Sequence, residues 1–269
     1  MQVIAITGGK GGVGKTNIAV NLSVSMALEG HDVLLLDADL GLANVDVVLG
    51  INTAYTMADV LDGRKTLSEI VIVGPGGVRI IPGASGVARL AQLDLATQNA
   101  LVNSFSDQLA PPDVLIVDTG AGIDSVVQTF VAACKTVVVV VNDEPASLTD
   151  AYALMKVMRN ERGVRRFEIL VNQVETSAQG QSVFDRITRV TDKYLDVDVG
   201  YLGIVPSDPY LKRAVQERTA LLIAYPRAPA AKAIRQVGRQ LIEHNGGANG
   251  GIGFFVEALL RQGNATVMS

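Results

Sequence analysis

A single cysteine, Cys134, is all the sulfhydryl the 269-residue chain has. That count excludes an intramolecular disulfide framework and any Cys-x-x-Cys metal or cluster site. Beside Ala132 and Ala133, Cys134 reads as a small buried apolar residue. The two histidines, His31 and His244, have no partner at ligand spacing, so neither a metal nor a catalytic role is expected of them. Positive charge is not in excess: 23 Lys and Arg stand against 27 Asp and Glu, a net charge of −4. A protein that binds phosphate backbones draws on clustered excess cations, so direct nucleic-acid binding is not expected. The basic cluster Arg159, Arg162, Arg165 and Arg166 falls at a helix end, where the dipole alone favours cations. The longest continuous apolar run, Val137–Val141, is too short to cross a bilayer. No leader-like segment precedes the first strand, so a cytoplasmic location is expected. No internal repeat is visible.

What is present is enough apolar residue, 48%, to bury a full core. Short continuous runs recur at Val3–Ile6, Val33–Leu36, Val78–Ile81, Val114–Val117, Val137–Val141, Ile169–Val171 and Val199–Val205. Continuous rather than alternating runs mark strands covered on both faces. Helical spacing fills the gaps at Thr16–Glu29, Ala96–Gln108, Ser125–Ala133, Ser147–Arg162, Val183–Leu195 and Ala230–His244, while Ala84–Leu93 reads as short helix or loop. The expected fold is α/β: a single domain with a mainly parallel twisted sheet and helices on both faces. The domain spans 1–244, a Gly/Asn linker 245–251, and a C-terminal amphipathic helix and tail 252–269.

The first strand runs into Gly8-Gly9-Lys10-Gly11-Gly12-Val13-Gly14-Lys15-Thr16-Asn17. The pattern G-x-x-x-x-G-K-T wraps backbone N–H groups around nucleotide phosphates, sends Lys15 to the β and γ oxygens, and offers the Thr16 hydroxyl to Mg²⁺. The following helix points its positive end at the anion. The extra Lys10 ahead of the usual lysine suggests two cradles meeting face to face.

Polar residues close the other strands: Asp37-Ala38-Asp39, Asp118-Thr119-Gly120, Asn142-Asp143-Glu144, Asn172, and Pro206-Ser207-Asp208. In a parallel sheet these carboxyl ends share one edge, where ligands bind. Asp118 fits the carboxylate of a Mg²⁺ shell opposite Thr16, and Asp39 is a further candidate at the metal. Asp39 is the candidate for orienting the attacking water, with a turn or cap residue as its alternative. Asp37 either touches a Mg²⁺-bound water or fixes the loop. Gly120 and Gly122 suit a loop that senses a γ-phosphate.

The string Gly8 to Thr16 resembles the deviant Walker A motif of the MinD/ParA dimerising ATPases. That resemblance implies that Lys10 reaches a partner's nucleotide in trans, as an arginine finger does. Leu36 to Asp46, Pro82 to Gly86, Val117 to Ile123 and Asp143 to Leu154 resemble the FlhG/FleN flagellar-number regulators. The resemblance implies ATP and ADP with Mg²⁺ as cofactors and slow ATP hydrolysis that depends on dimerisation. It places adenine near Asn172 and the Val205-Pro206-Ser207-Asp208 turn, and sets Glu144 against the ribose or the opposite subunit. Implied partners are a second copy of the chain and a flagellar transcription activator or a flagellar GTPase and switch protein. Many members stimulate that GTPase through an N-terminal extension; this sequence starts almost at its first strand, so either it resembles the shorter FleN branch, which restrains a flagellar transcription activator, or residues are missing from it. The alternatives are a MinD-like division-site regulator and a P-loop metabolic ligase.

In the tail, Ile252, Phe255, Val256, Leu259 and Leu260 share one helical face opposite Glu257 and Arg261, with Phe254 on the polar side. By resemblance this helix attaches reversibly to membrane, which would put the protein at the inner membrane, at the cell pole for instance. The alternative is docking on the protein body.

Overall fold

The computed structural model describes residues 1–39, 45–83, 110–244 and 252–267. The helix expected over 96–108, the helix-or-loop at 84–93, the 40–44 stretch, the last three residues of the Pro82–Gly86 match and the 245–251 linker lie outside the described residues.

Among the described residues eight strands form one sheet: β1 (Gln2–Thr7), β2 (Val33–Ala38), β3 (Ile72–Val73), β4 (Arg79–Ile81), β5 (Val114–Thr119), β6 (Thr136–Val141), β7 (Arg166–Val174) and β8 (Asp198–Pro206). Their order is β3-β4-β2-β5-β1-β6-β7-β8. Every pairing is parallel except β3 with β4. All residues of β1, β2, β5 and β6 are buried, which is why each strand carries a continuous apolar run of four or five residues, with polar residues only toward its ends. β1 sits between β5 and β6, so the glycine loop leaves the middle of the carboxyl edge.

Among the described residues the helices are α1 (Lys15–Leu28), the short α2 (Val45–Leu49), α3 (Met57–Leu61) and α4 (Leu67–Ile70), then α5 (Ser125–Ala133), α6 (Pro145–Arg162), α7 (Ser177–Tyr194), α8 (Pro209–Gln216), α9 (Leu221–Ala224), α10 (Pro229–His244) and α11 (Ile252–Val267). On one face α1, α9 and α10 pack on Ile4, Ile6, Leu35 and Val138. On the other, α5, α6, α7 and α11 pack on Val3, Ala5, Leu36 and Val139. The sequence reading found α1, α5, α6, α10 and α11 to within a few residues, and α7 with a start at Val183, six residues inside the observed one. It passed over α2 to α4, α8 and α9, whose lengths of four to eight residues carry too few turns to show a period. Their signals are caps instead: Thr56 with Asp59 and Thr66 with Glu69 form capping boxes.

The tail helix docks on the body. Phe255, Val256, Leu259 and Leu260 are buried against α5 and the core beneath it. Arg162 at the end of α6 donates to the Gln262 carbonyl at 2.8 Å and to Gln128 Oε1 at 3.0 Å, which ties three helices together. Four such side chains contribute on the order of 6–12 kcal/mol before ordering entropy is subtracted. The structure shows the docked arrangement of the tail. No helix among the described residues is long and apolar enough to cross a membrane.

The discounted features sit as expected. Cys134 is buried, and burial pushes its thiol far above the usual range. Met155 and Met158 are core, and Arg159 pairs with Asp196.

Candidate nucleotide site

The loop between β1 and α1 is held by two close backbone approaches. A Cβ on Gly9 would lie 2.2 Å from the Asp150 carbonyl group, so only glycine lets α6 pack against the loop. Gly14 caps α1 at φ 93°, in the left-handed region, and a Cβ there would lie 2.4 Å from the Asn172 amide nitrogen. Gly11 and Gly12 have open space above them, where phosphate oxygens would sit. Val13 is buried under the loop, and Thr16 and Asn17 open α1.

Lys15 is buried, and its Nζ donates to the Lys10 carbonyl at 3.3 Å. Desolvation lowers its pKa, while the Asp118 and Asp39 carboxylates act in the opposite sense. Lys10 does not enter the cradle. It lies at the rim, ion-paired with Glu144 at the start of α6, and both side chains are partly exposed. That pair holds the Glu144 carboxyl below its usual range, helped by Asn142, whose amide donates to it at 3.1 Å. Glu144 therefore serves Lys10 here.

Asp118 ends β5 beside Asp37, its register partner on β2. It is fully buried, and neither carboxylate oxygen has a hydrogen-bond partner among the described residues. The Thr16 hydroxyl lies near enough to favour the ionised form. Burial pushes Asp118 up to about 8; Thr16 and Lys15 oppose that, and Asp37 and Asp39 add to it. An orphaned carboxylate facing a hydroxyl is a hard oxygen donor pair, and it fits Mg²⁺. Bound there, the ion would neutralise phosphate charge, with Thr16 and Asp118 holding it.

Asp37 resolves toward loop fixing: its oxygens accept from the backbone N–H groups of Asp39 and Val45, each at 3.2 Å. Asp39 lies over Gly120, with Oδ1 3.4 Å from where a Cβ would be. It shares the site with Lys15 and Asp118, as a water-orienting residue must. Gly122 donates its N–H to the Gly8 carbonyl at 3.3 Å, which joins the loop after β5 to the phosphate cradle.

The residues assigned to adenine are placed at the same edge, and the Asn172 and Asp208 side chains are already engaged within the protein. Asn172 is buried; its amide donates to the Val13 carbonyl at 2.8 Å and accepts from the Gln173 N–H at 2.9 Å, so it struts the loop. Gln173, at φ 61°, is strained for a non-glycine residue. Val205 is core, leaving only its backbone for a ligand, and Pro206 pairs with Val174. Ser207 donates its N–H to the Val174 carbonyl. Asp208 caps two helices, accepting from Tyr210 N at 2.8 Å and Ala230 N at 2.9 Å. It fixes the turn rather than offering a free carboxylate.

Sequence reasoning missed a clamp behind this edge. Asp143 accepts from Gln179 at 2.7 Å and pairs with Arg186, both on α7, and these donors hold its carboxyl below the usual range. The clamp fixes the strand end from which Glu144 reaches Lys10. The signal lay in Asp143 itself, one residue from a site candidate.

A family model described as the CobQ/CobB/MinD/ParA nucleotide binding domain matches residues 4–221. The chain is 46% identical to the antiactivator FleN of Pseudomonas aeruginosa, over 97% of this chain and 94% of that protein. It is 35% identical to the flagellum site-determining protein YlxH of Helicobacter pylori, over 90% and 82% respectively. The septum site-determining protein MinD of Pyrococcus horikoshii, solved with Mg-ADP, superposes with a TM-score of 0.71 at 24% identity, covering 91% of this chain and 97% of that one. With the nucleotide-binding domain matched over most of its length and the FleN relative matched over nearly all of it, the chain belongs to the MinD/ParA family of Mg²⁺-dependent ATPases, in its FleN branch.

Proposed function

We propose that this chain is an ATP-dependent dimerising switch that controls flagellar number or placement by restraining a flagellar transcription activator. The observation that carries the reading is the position of Lys10. One lysine, Lys15, fills the cradle, and the second waits at the rim on Glu144, partly exposed. An ammonium so placed is aimed outward, where a second copy would bring its own γ-phosphate. On pairing, Lys10 exchanges Glu144 for the partner's triphosphate, whose charge is several times larger and is enclosed between subunits. Because only the triphosphate presents that terminal anion, ATP and ADP differ in contacts, as a switch requires. Asp39 then orients water for hydrolysis, which dissolves the pair.

The flagellar reading rests on the 46% identity to a protein named an antiactivator and on the flagellar site-determining relative. Membrane attachment belongs to the same proposal. The apolar face of α11 is covered by α5, so lipid binding requires its release, and two released helices on a dimer bind through effective concentration. Lys10→Ala tests the reading: it binds ATP but fails to pair. Dimer formation and cooperative turnover in that variant would refute the trans role.

A further inference from the structure

At the opposite edge of the sheet, where β6, β7 and β8 begin, lies a cavity of about 490 Å³. That volume is within the range of small-ligand pockets. Its floor is apolar, formed by Leu202 and Leu241, both buried. Its walls carry two cations, Lys135 and Arg166. The Lys135 ammonium makes no ion pair or hydrogen bond among the described residues. Arg166 lies between two carboxylates: its Nε donates to Glu168 Oε1 at 3.1 Å and stands 3.9 Å from Asp198 Oδ2, while the two terminal nitrogens of the fork make no hydrogen bond among the described residues.

Gly200 makes the arrangement possible. A Cβ there would lie 2.1 Å from Glu168 Oε2, so the bare strand is what allows Glu168 to lie flat and hold Arg166. Thr136 adds a hydroxyl at the same wall. An oriented guanidinium fork beside a free ammonium, above an apolar floor, is the chemistry that takes an oxyanion attached to an apolar body.

We propose that this cavity is a second ligand site, separate from the nucleotide cradle, for a small amphiphilic oxyanion. The carboxylate or phosphate head lies between Arg166 and Lys135, and the apolar body lies on Leu202 and Leu241. Facing away from the carboxyl edge where two copies would meet, the site stays accessible in monomer and dimer alike. It therefore suits an effector that acts in either nucleotide state.

The test is an NMR titration of the full chain with phenyl phosphate and, separately, 3-phenylpropionate, with Mg-ADP saturating the P-loop so that it takes neither probe. Saturable amide shifts confined to Thr136, Glu168, Gly200 and Leu202 are expected. The tighter of the two probes identifies the head group, and neutral benzyl alcohol leaves these amides unmoved. Lys135→Ala and Arg166→Ala each weaken binding about tenfold, the loss of one charge-assisted contact. Absence of shifts at millimolar probe, shifts confined elsewhere, or unchanged affinity in both variants overturns the proposal.

Discussion

Proton release should accompany Mg-nucleotide binding, and Asp118 sets its size. With its carboxyl raised to about 8 in the empty site, Asp118 is about 90% protonated at pH 7. Mg²⁺ requires the carboxylate, so binding expels about 0.9 proton per site at pH 7 and about half a proton at pH 8. Below pH 8 the apparent affinity for Mg-nucleotide falls about tenfold per unit; above it the dependence flattens. The same linkage acts on the empty protein with a definite sign. The folded state holds this proton more tightly than the unfolded chain, so Asp118's contribution to stability is complete below the unfolded pKa and is lost as pH rises through about 8. The limiting slope is about 1.4 kcal/mol per pH unit between those values. Isothermal titration calorimetry of Mg-ADP binding at pH 7, in two buffers of different ionisation enthalpy, measures the proton directly. Asp118→Asn abolishes the release. A buffer-independent binding enthalpy in the wild-type chain, or equal release in Asp118→Asn, refutes the reasoning.

Other expectations follow from the same geometry. Gly14→Ala combines a disfavoured φ with a clash against Asn172, so it loses nucleotide in fluorescence titration and about 1–3 kcal/mol of stability in urea. Asp39→Ala retains ATP and persists as a dimer in size-exclusion chromatography; a variant that stays monomeric with ATP assigns Asp39 to binding rather than hydrolysis. Removing Ile252–Ser269 abolishes ATP-dependent co-sedimentation with liposomes; unchanged sedimentation removes the membrane role. Since Glu257 and Arg261 pair with each other on α11, added salt has little effect on that sedimentation.

The strands were legible because burial on both faces writes itself as unbroken apolar sequence, as in Val137–Val141. The two-residue β3 pairs only with β4 and left no such trace. The cradle was legible residue by residue, since the chemistry of phosphate binding dictates a local pattern. Partners brought together by the fold were not. Asn172 reaches Val13 across 159 positions, and Asp208 caps a helix that starts at Pro229 as well as its own. From sequence both looked like free polar groups at a ligand edge. The Lys10–Glu144 pair escaped for the same reason. Each residue was singled out for the site, yet no local spacing joins residue 10 to residue 144.

Light scattering of the wild-type chain at high concentration with Mg²⁺ and a non-hydrolysable ATP analogue tests the switch most directly. The account predicts a molar mass twice that of the 28.3 kDa chain with the analogue and a monomer with Mg-ADP. A mass that stays at one chain when the site is saturated with the analogue contradicts it.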